Sequence, residues 1–153
     1  MRQCSPRPGQ LLFLCTGNYY RSRFAEELFN WRAPQAGLSW IATSRGIATE
    51  LGVLNVGPIS PHALRGLLTR SVPPATAHCF PRQLQEPDLM WADLAVALKE
   101  AEHRPLLEQR FPSWADSVVY WHVDDLDLAR PEDALADLER RISVLVEQLS
   151  NHR

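Results

Sequence analysis

The chain has 153 residues, 45% of them hydrophobic and 22% charged, which is the composition of a folded chain and excludes disorder along its whole length. Sixteen basic and eighteen acidic side chains give a formal net charge of -2, so there is no general field for gripping nucleic acid or an anionic membrane, and any anion site must be local. The length favours one domain over 1–153 with a single sizeable core.

Residues 1–10 carry Pro6, Pro8 and Gly9 ahead of any periodic segment and read as a lead-in of little order. The apolar run that follows is far shorter than a membrane span or the core of a signal peptide, so a cytoplasmic protein is expected. Cys4, Cys15 and Cys79 lack CxxC spacing, which suggests neither a disulfide framework nor a metal site. Leu11 to Cys15 is the continuous apolar run of a strand buried on both faces. After the break at Thr16-Gly17-Asn18, the spacing of Phe24, Ala25, Leu28 and Trp31 predicts a helix from Ser22, with Glu26 and Glu27 on its other side.

Leu38 to Thr43 reads as a second strand, and an irregular stretch leads through Asn55-Val56-Gly57-Pro58 to a helix opened by Pro61, with Ala63, Leu64, Leu67 and Leu68 on one face. Residues 71–87 hold four prolines and read as broken chain. Leu94 to Leu98 is a third strand, followed by a helical pattern through Leu106, Leu107 and Phe111 that Pro112 ends, and Val118 to Trp121 is a fourth. A long amphipathic helix then starts at Pro131, with Glu132 and Asp133 in its first turn and Leu135, Leu138, Ile142, Leu145 and Leu149 along one face. Strands alternating with helices predict an α/β fold, a parallel sheet covered on both faces, with ligands bound beyond the carboxyl ends of the strands.

Cys15-Thr16-Gly17-Asn18-Tyr19-Tyr20-Arg21 lies at such an end. Cysteine and arginine at this spacing arise often by chance, and position supplies the weight. A loop between a buried strand and a helix can turn successive N–H groups and the positive helix end onto an anion. The same field favours a thiolate at Cys15, and Arg21 offers a planar fork to two phosphate oxygens.

This segment, Leu12 to Ser22, resembles the signature of the low-molecular-weight protein tyrosine phosphatase family, which includes thioredoxin-coupled arsenate reductases. Thr43-Ser44-Arg45-Gly46, Asn55-Val56-Gly57, Arg82-Gln83-Leu84 and Ala92-Asp93-Leu94 resemble further family segments. The resemblance implies a three-layer domain whose four-stranded parallel sheet runs in the order 2-1-3-4. It also implies a phosphomonoester hydrolase that needs no cofactor and acts on a phosphorylated protein or a small phosphomonoester. Cys15 would attack phosphorus, Arg21 and the amides of Thr16, Gly17, Asn18, Tyr19 and Tyr20 would hold the oxygens, and Ser22 would assist the sulfur as it leaves. Asn18 would be held by Ser44 and His78. Asp125 would be the general acid, with Asp124 as the alternative.

Departures bear on substrate. Tyr20 replaces the second cysteine of the usual loop, Leu54 stands for the family tryptophan, and Leu126-Asp127 follow the acid where the family has proline and tyrosines. Tyr19 could supply an aromatic wall. Two other functions stay open: an arsenate reductase borrowing an external thiol, since no cysteines follow the third strand, and a phosphate-binding module without turnover.

Overall fold

Residues 7–151 are described by a computed structural model. Four strands, β1 (Gly9–Cys15), β2 (Trp40–Gly46), β3 (Leu94–Ala97) and β4 (Val119–Tyr120), form a parallel sheet in the order β2-β1-β3-β4. Five α-helices accompany them: α1 (Arg21–Gln35), α2 (Pro61–Leu68), α3 (Glu86–Trp91), α4 (Glu100–Arg110) and α5 (Pro131–Asn151). Chain order places β2 on one side of β1 and β3 on the other, so the connections diverge between β1 and β3 and leave a crevice at their carboxyl ends.

The run Leu11 to Cys15 is buried throughout because both faces of β1 are covered. Leu11, Phe13 and Cys15 join a core with α1, α2 and α5, whereas Leu12 and Leu14 face Leu89 of α3 and Leu107 of α4. The apolar face of α5 buries Leu135, Leu138, Ile142 and Leu145 in the first core, each worth about 1.5–3 kcal/mol when fully removed from water. Among the described residues no helix is long and apolar enough to cross a membrane.

The structure departs from the sequence expectations where neighbours outweigh local pattern. Gly9 and Gln10, expected in the lead-in, belong to β1: their N–H groups donate to Ser39 O at 3.0 Å and to the Asp93 carboxylate at 2.9 Å. Arg7 reaches the same carboxylate at 3.0 Å, while residues 1–6 of that expectation lie outside the described residues. Helix α1 is buried on nearly every side, Glu26 and Glu27 included. Their carboxylates accept hydrogen bonds from Ser44 Oγ and from the backbone and hydroxyl of Thr76, partners that a helical pattern cannot reveal. Trp31 and Leu68, expected on apolar faces, are 42% and 64% exposed. Helix α3 begins inside the proline-rich stretch, where Gln85 and Asp88 cap each other and Pro87 fits the first turn.

Candidate active site

The carboxyl end of β1 delivers Cys15 to the floor of the loop 16–20, and α1 starts immediately afterwards. The loop carbonyls are occupied from outside: Ile47, Ala48, Ser60 and Phe24 N–H groups donate to the carbonyls of Cys15, Thr16, Tyr19 and Tyr20 at 2.9–3.0 Å. Among the described residues, the amides of Thr16 to Tyr20 find no acceptor. Carbonyls held outward and amides left unpaired make an anion cradle at a helix N-terminus. Gly46 of β2 permits this turn, since a Cβ there would come within 2.8 Å of Thr16 O and 3.0 Å of the Asn18 amide nitrogen.

Asn18 holds the loop from behind with φ +54°, a left-handed conformation that asparagine tolerates better than most residues. Its two Nδ2 hydrogens go to Ser22 Oγ at 3.0 Å and Ser44 Oγ at 2.9 Å, and Ser44 passes its own hydrogen to Glu26. Ser22 Oγ therefore accepts from Asn18 and can donate to Cys15 Sγ, 2.9 Å away. The Asn18 contact with Ser44 is as expected, but the expected contact with His78 is not formed. The backbone N–H of Arg82 donates to Asn18 Oδ1 at 2.9 Å, and His78 Nε2 lies 3.6 Å from Cys79 Sγ instead. The chain around residue 82 already pairs with Gly46 of β2, so the main chain supplies the donor without a side chain.

Arg21 is 2% exposed. It donates through Nη1 to Val123 O at 2.9 Å and through Nη2 to Glu102 at 2.7 Å, with Asp125 Oδ2 3.4 Å from Nη2. Asp124 turns elsewhere, onto Lys99 at 2.7 Å. Glu102, in the first turn of α4, escaped the sequence reading. Its Oε2 accepts from both Thr16 Oγ1 and Arg21. Burial disfavours its charge, yet His103, Arg21 and Thr16 outweigh burial and hold the carboxyl far below its ordinary range. His103 takes the Lys99 N–H on Nδ1 at 3.0 Å, so its proton sits on Nε2. That atom is 3.0 Å from Glu102 but lies off the hydrogen-bond line, a charge–dipole contact rather than a formed bond. An acidic residue early in a helix is too common a pattern to single out Glu102.

Cys15, Tyr19, Arg21, Asn55, Asp125 and Asp127 are among the residues lining a cavity of about 210 Å³ above the loop. Tyr19 forms part of the wall, its hydroxyl donating to Val56 O at 2.6 Å, whereas Leu54 is 92% exposed and closes nothing. A larger cleft of about 750 Å³ runs between α5 and the β3–β4 edge. It holds no nucleophile, and its Arg140 and Arg141 both turn onto Asp137. The smaller cavity is the one that brings a thiol, an arginine and a carboxylate together.

Tyr20 is 5% exposed and its hydroxyl has no partner among the described residues. Burial, reinforced by Asp125, pushes its phenol up to about 12. A folded-state value above the unfolded one leaves stability untouched below about pH 10 and lowers it as pH rises toward 12, because the unfolded chain ionises the phenol more easily than the buried site does. Denaturant unfolding of Tyr20→Phe is expected to show undiminished stability at pH 7, because an orphan hydroxyl is removed, and a shallower decline between about pH 10 and 12. A loss above about 1 kcal/mol at pH 7 would mean that the hydroxyl has a partner.

Comparison with known proteins agrees with this geometry. The model of the low molecular weight phosphotyrosine protein phosphatase family matches residues 10–152. A protein-arginine-phosphatase of Bacillus subtilis is 31% identical over 108 residues, covering 71% of this chain and 67% of that protein. A crystal structure of a low molecular weight protein tyrosine phosphatase from T. tengcongensis superposes with a TM-score of 0.73 at 26% identity, covering 95% of this chain and 99% of that one. A thioredoxin-dependent arsenate reductase of Corynebacterium glutamicum shares the fold, with a TM-score of 0.68 at 20% identity over 98% of this chain and 66% of that one. A match of the family model over residues 10–152, nearly the whole length, makes this chain a member of the low molecular weight phosphotyrosine protein phosphatase family.

Proposed function

We propose that the protein hydrolyses phosphomonoesters through a phosphocysteine on Cys15. The observation that carries this reading is the meeting of Cys15, unpaired loop amides, Arg21 and Asp125 around one cavity. Cys15 Sγ attacks phosphorus as the ester P–O bond breaks, and Asp125 gives its proton to the departing oxygen. Loop amides and Arg21 hold the equatorial oxygens, where negative charge is carried through the transition state. In the second step Asp125, now a carboxylate, takes a proton from water. The water oxygen bonds phosphorus, the P–S bond breaks, and the Ser22 hydroxyl stabilises the released thiolate. Asp125 is preferred to Asp124 because it lines the cavity while Asp124 is paired with Lys99. The activity is placed in the cytoplasm, where a nucleophile without a second loop cysteine is kept reduced.

The test is Asp125→Asn, which should slow release of an alkoxide leaving group by about 10² to 10⁴, the range for a positioned proton donor. The loss should shrink for nitrophenyl phosphate, whose leaving group needs little help, and Asp124→Asn should show no such dependence. A leaving-group-dependent loss in Asp124→Asn alone would transfer the role to that residue. No such dependence in either variant would remove proton donation from the scheme.

The relative from Bacillus subtilis favours a second substrate reading, protein phosphoarginine. Asn55, Asp125 and Asp127 line the cavity, a polar wall suited to a guanidinium. Turnover of an aryl phosphate beside a phosphoarginine peptide separates the two.

A further inference from the structure

We propose that Glu102 is a positioning residue, fixing the phosphate-gripping geometry of Arg21 and the first loop residue, Thr16, through a single carboxylate oxygen. The inference rests on the phosphatase reading above. Oε2 receives Thr16 Oγ1 and Arg21 Nη2, from residues 86 and 81 positions away in the chain. Glu102 itself is not among the residues lining the cavity. It therefore acts through Arg21 and Thr16 and not on substrate.

The physical need is plain. A guanidinium buried to 2% exposure is costly unless it is paired, and before phosphate arrives Glu102 gives the closest carboxylate contact, at 2.7 Å against 3.4 Å for Asp125. Val123 O and Glu102 each take one N–H. A guanidinium carries five, so three remain, enough for a two-point grip on phosphate. The anchored Thr16 hydroxyl fixes the residue whose amide opens the cradle. Misplacing such a group by about 1 Å can cost about 10² in rate.

The experiment compares wild type, Glu102→Ala and Glu102→Gln on nitrophenyl phosphate and an alkyl phosphate, and measures inorganic phosphate binding by each folded protein. Glu102→Ala is expected to lower kcat by about 10- to 100-fold, equally for both esters, because no proton donor is touched. Glu102→Gln keeps one oxygen for both donors and should stay within about threefold of wild-type kcat. It should also bind phosphate several-fold more tightly, since a negative charge beside Arg21 is gone.

Equal damage in the two variants, wild-type rates in Glu102→Ala, or a loss confined to the alkyl ester would each overturn the proposal. A merely structural role would lower the active fraction and leave phosphate affinity unchanged. If Glu102→Ala fails to fold, the Glu102→Gln phosphate affinity decides. An inactive wild type would overturn the phosphatase reading instead, and the phosphate affinities, which need no turnover, would still decide the role of Glu102.

Discussion

Cys15→Ser is expected to lower phosphate ester turnover by about 10⁴-fold or more, the scale of removing a covalent nucleophile, while phosphate and vanadate still bind. Binding persists because the anion is held by groups the substitution leaves intact. The amides of Thr16 to Tyr20 stay unpaired and facing the ligand, and Arg21 keeps its anchors on Val123 and Glu102. Turnover fails because a serine hydroxyl at this position is not ionised near neutrality and is a poorer nucleophile than a thiolate. The Ser22 hydroxyl, 2.9 Å from the sulfur, cannot substitute for it. Steady-state rates beside phosphate binding provide the check, and turnover near the wild-type level would sink the phosphocysteine scheme.

Arg21→Lys is expected to lower kcat by about 10² to 10³, the range for losing a principal transition-state stabiliser. An ammonium has three donors on one atom, whereas Arg21 spans Val123 O, Glu102 and the anion with a rigid planar fork. A lysine that satisfies Glu102 has no aligned pair left for phosphate. The substitution also weakens the partner of a carboxylate whose ionised form Arg21 favours, so melting must be measured with the kinetics to separate misfolding from misalignment. An unchanged kcat in the folded variant would remove Arg21 from the site.

Legibility of the site varied residue by residue. Cys15 and Arg21 were readable because strand, loop and helix follow one another within a dozen residues and each leaves a local pattern, whereas the role of Ser22 came from the resemblance. Asp125 could be reached only by resemblance, since three aspartates crowd residues 124–127, and the structure separates two of them by their partners, Arg21 for Asp125 and Lys99 for Asp124. His78 was carried over by analogy, and a main-chain N–H of Arg82 stands in its place. No side-chain pattern announces a backbone donor.

The amino-acid sequence by itself determined the alternation of strands and helices, the two-faced burial of β1, the position of the loop at its end and the long final helix, because hydrophobic period, capping residues and prolines act within a few residues. Tertiary structure alone decided which charged groups lie inside, as Glu27 does, or are half-buried, as Glu102 is, and what they do there. Glu27 is covered by Thr76, 49 residues away, and Glu102 meets Thr16 from 86 residues away. A carboxylate in a helical pattern reads as solvated, and it stays inside only when distant chain brings donors to satisfy it.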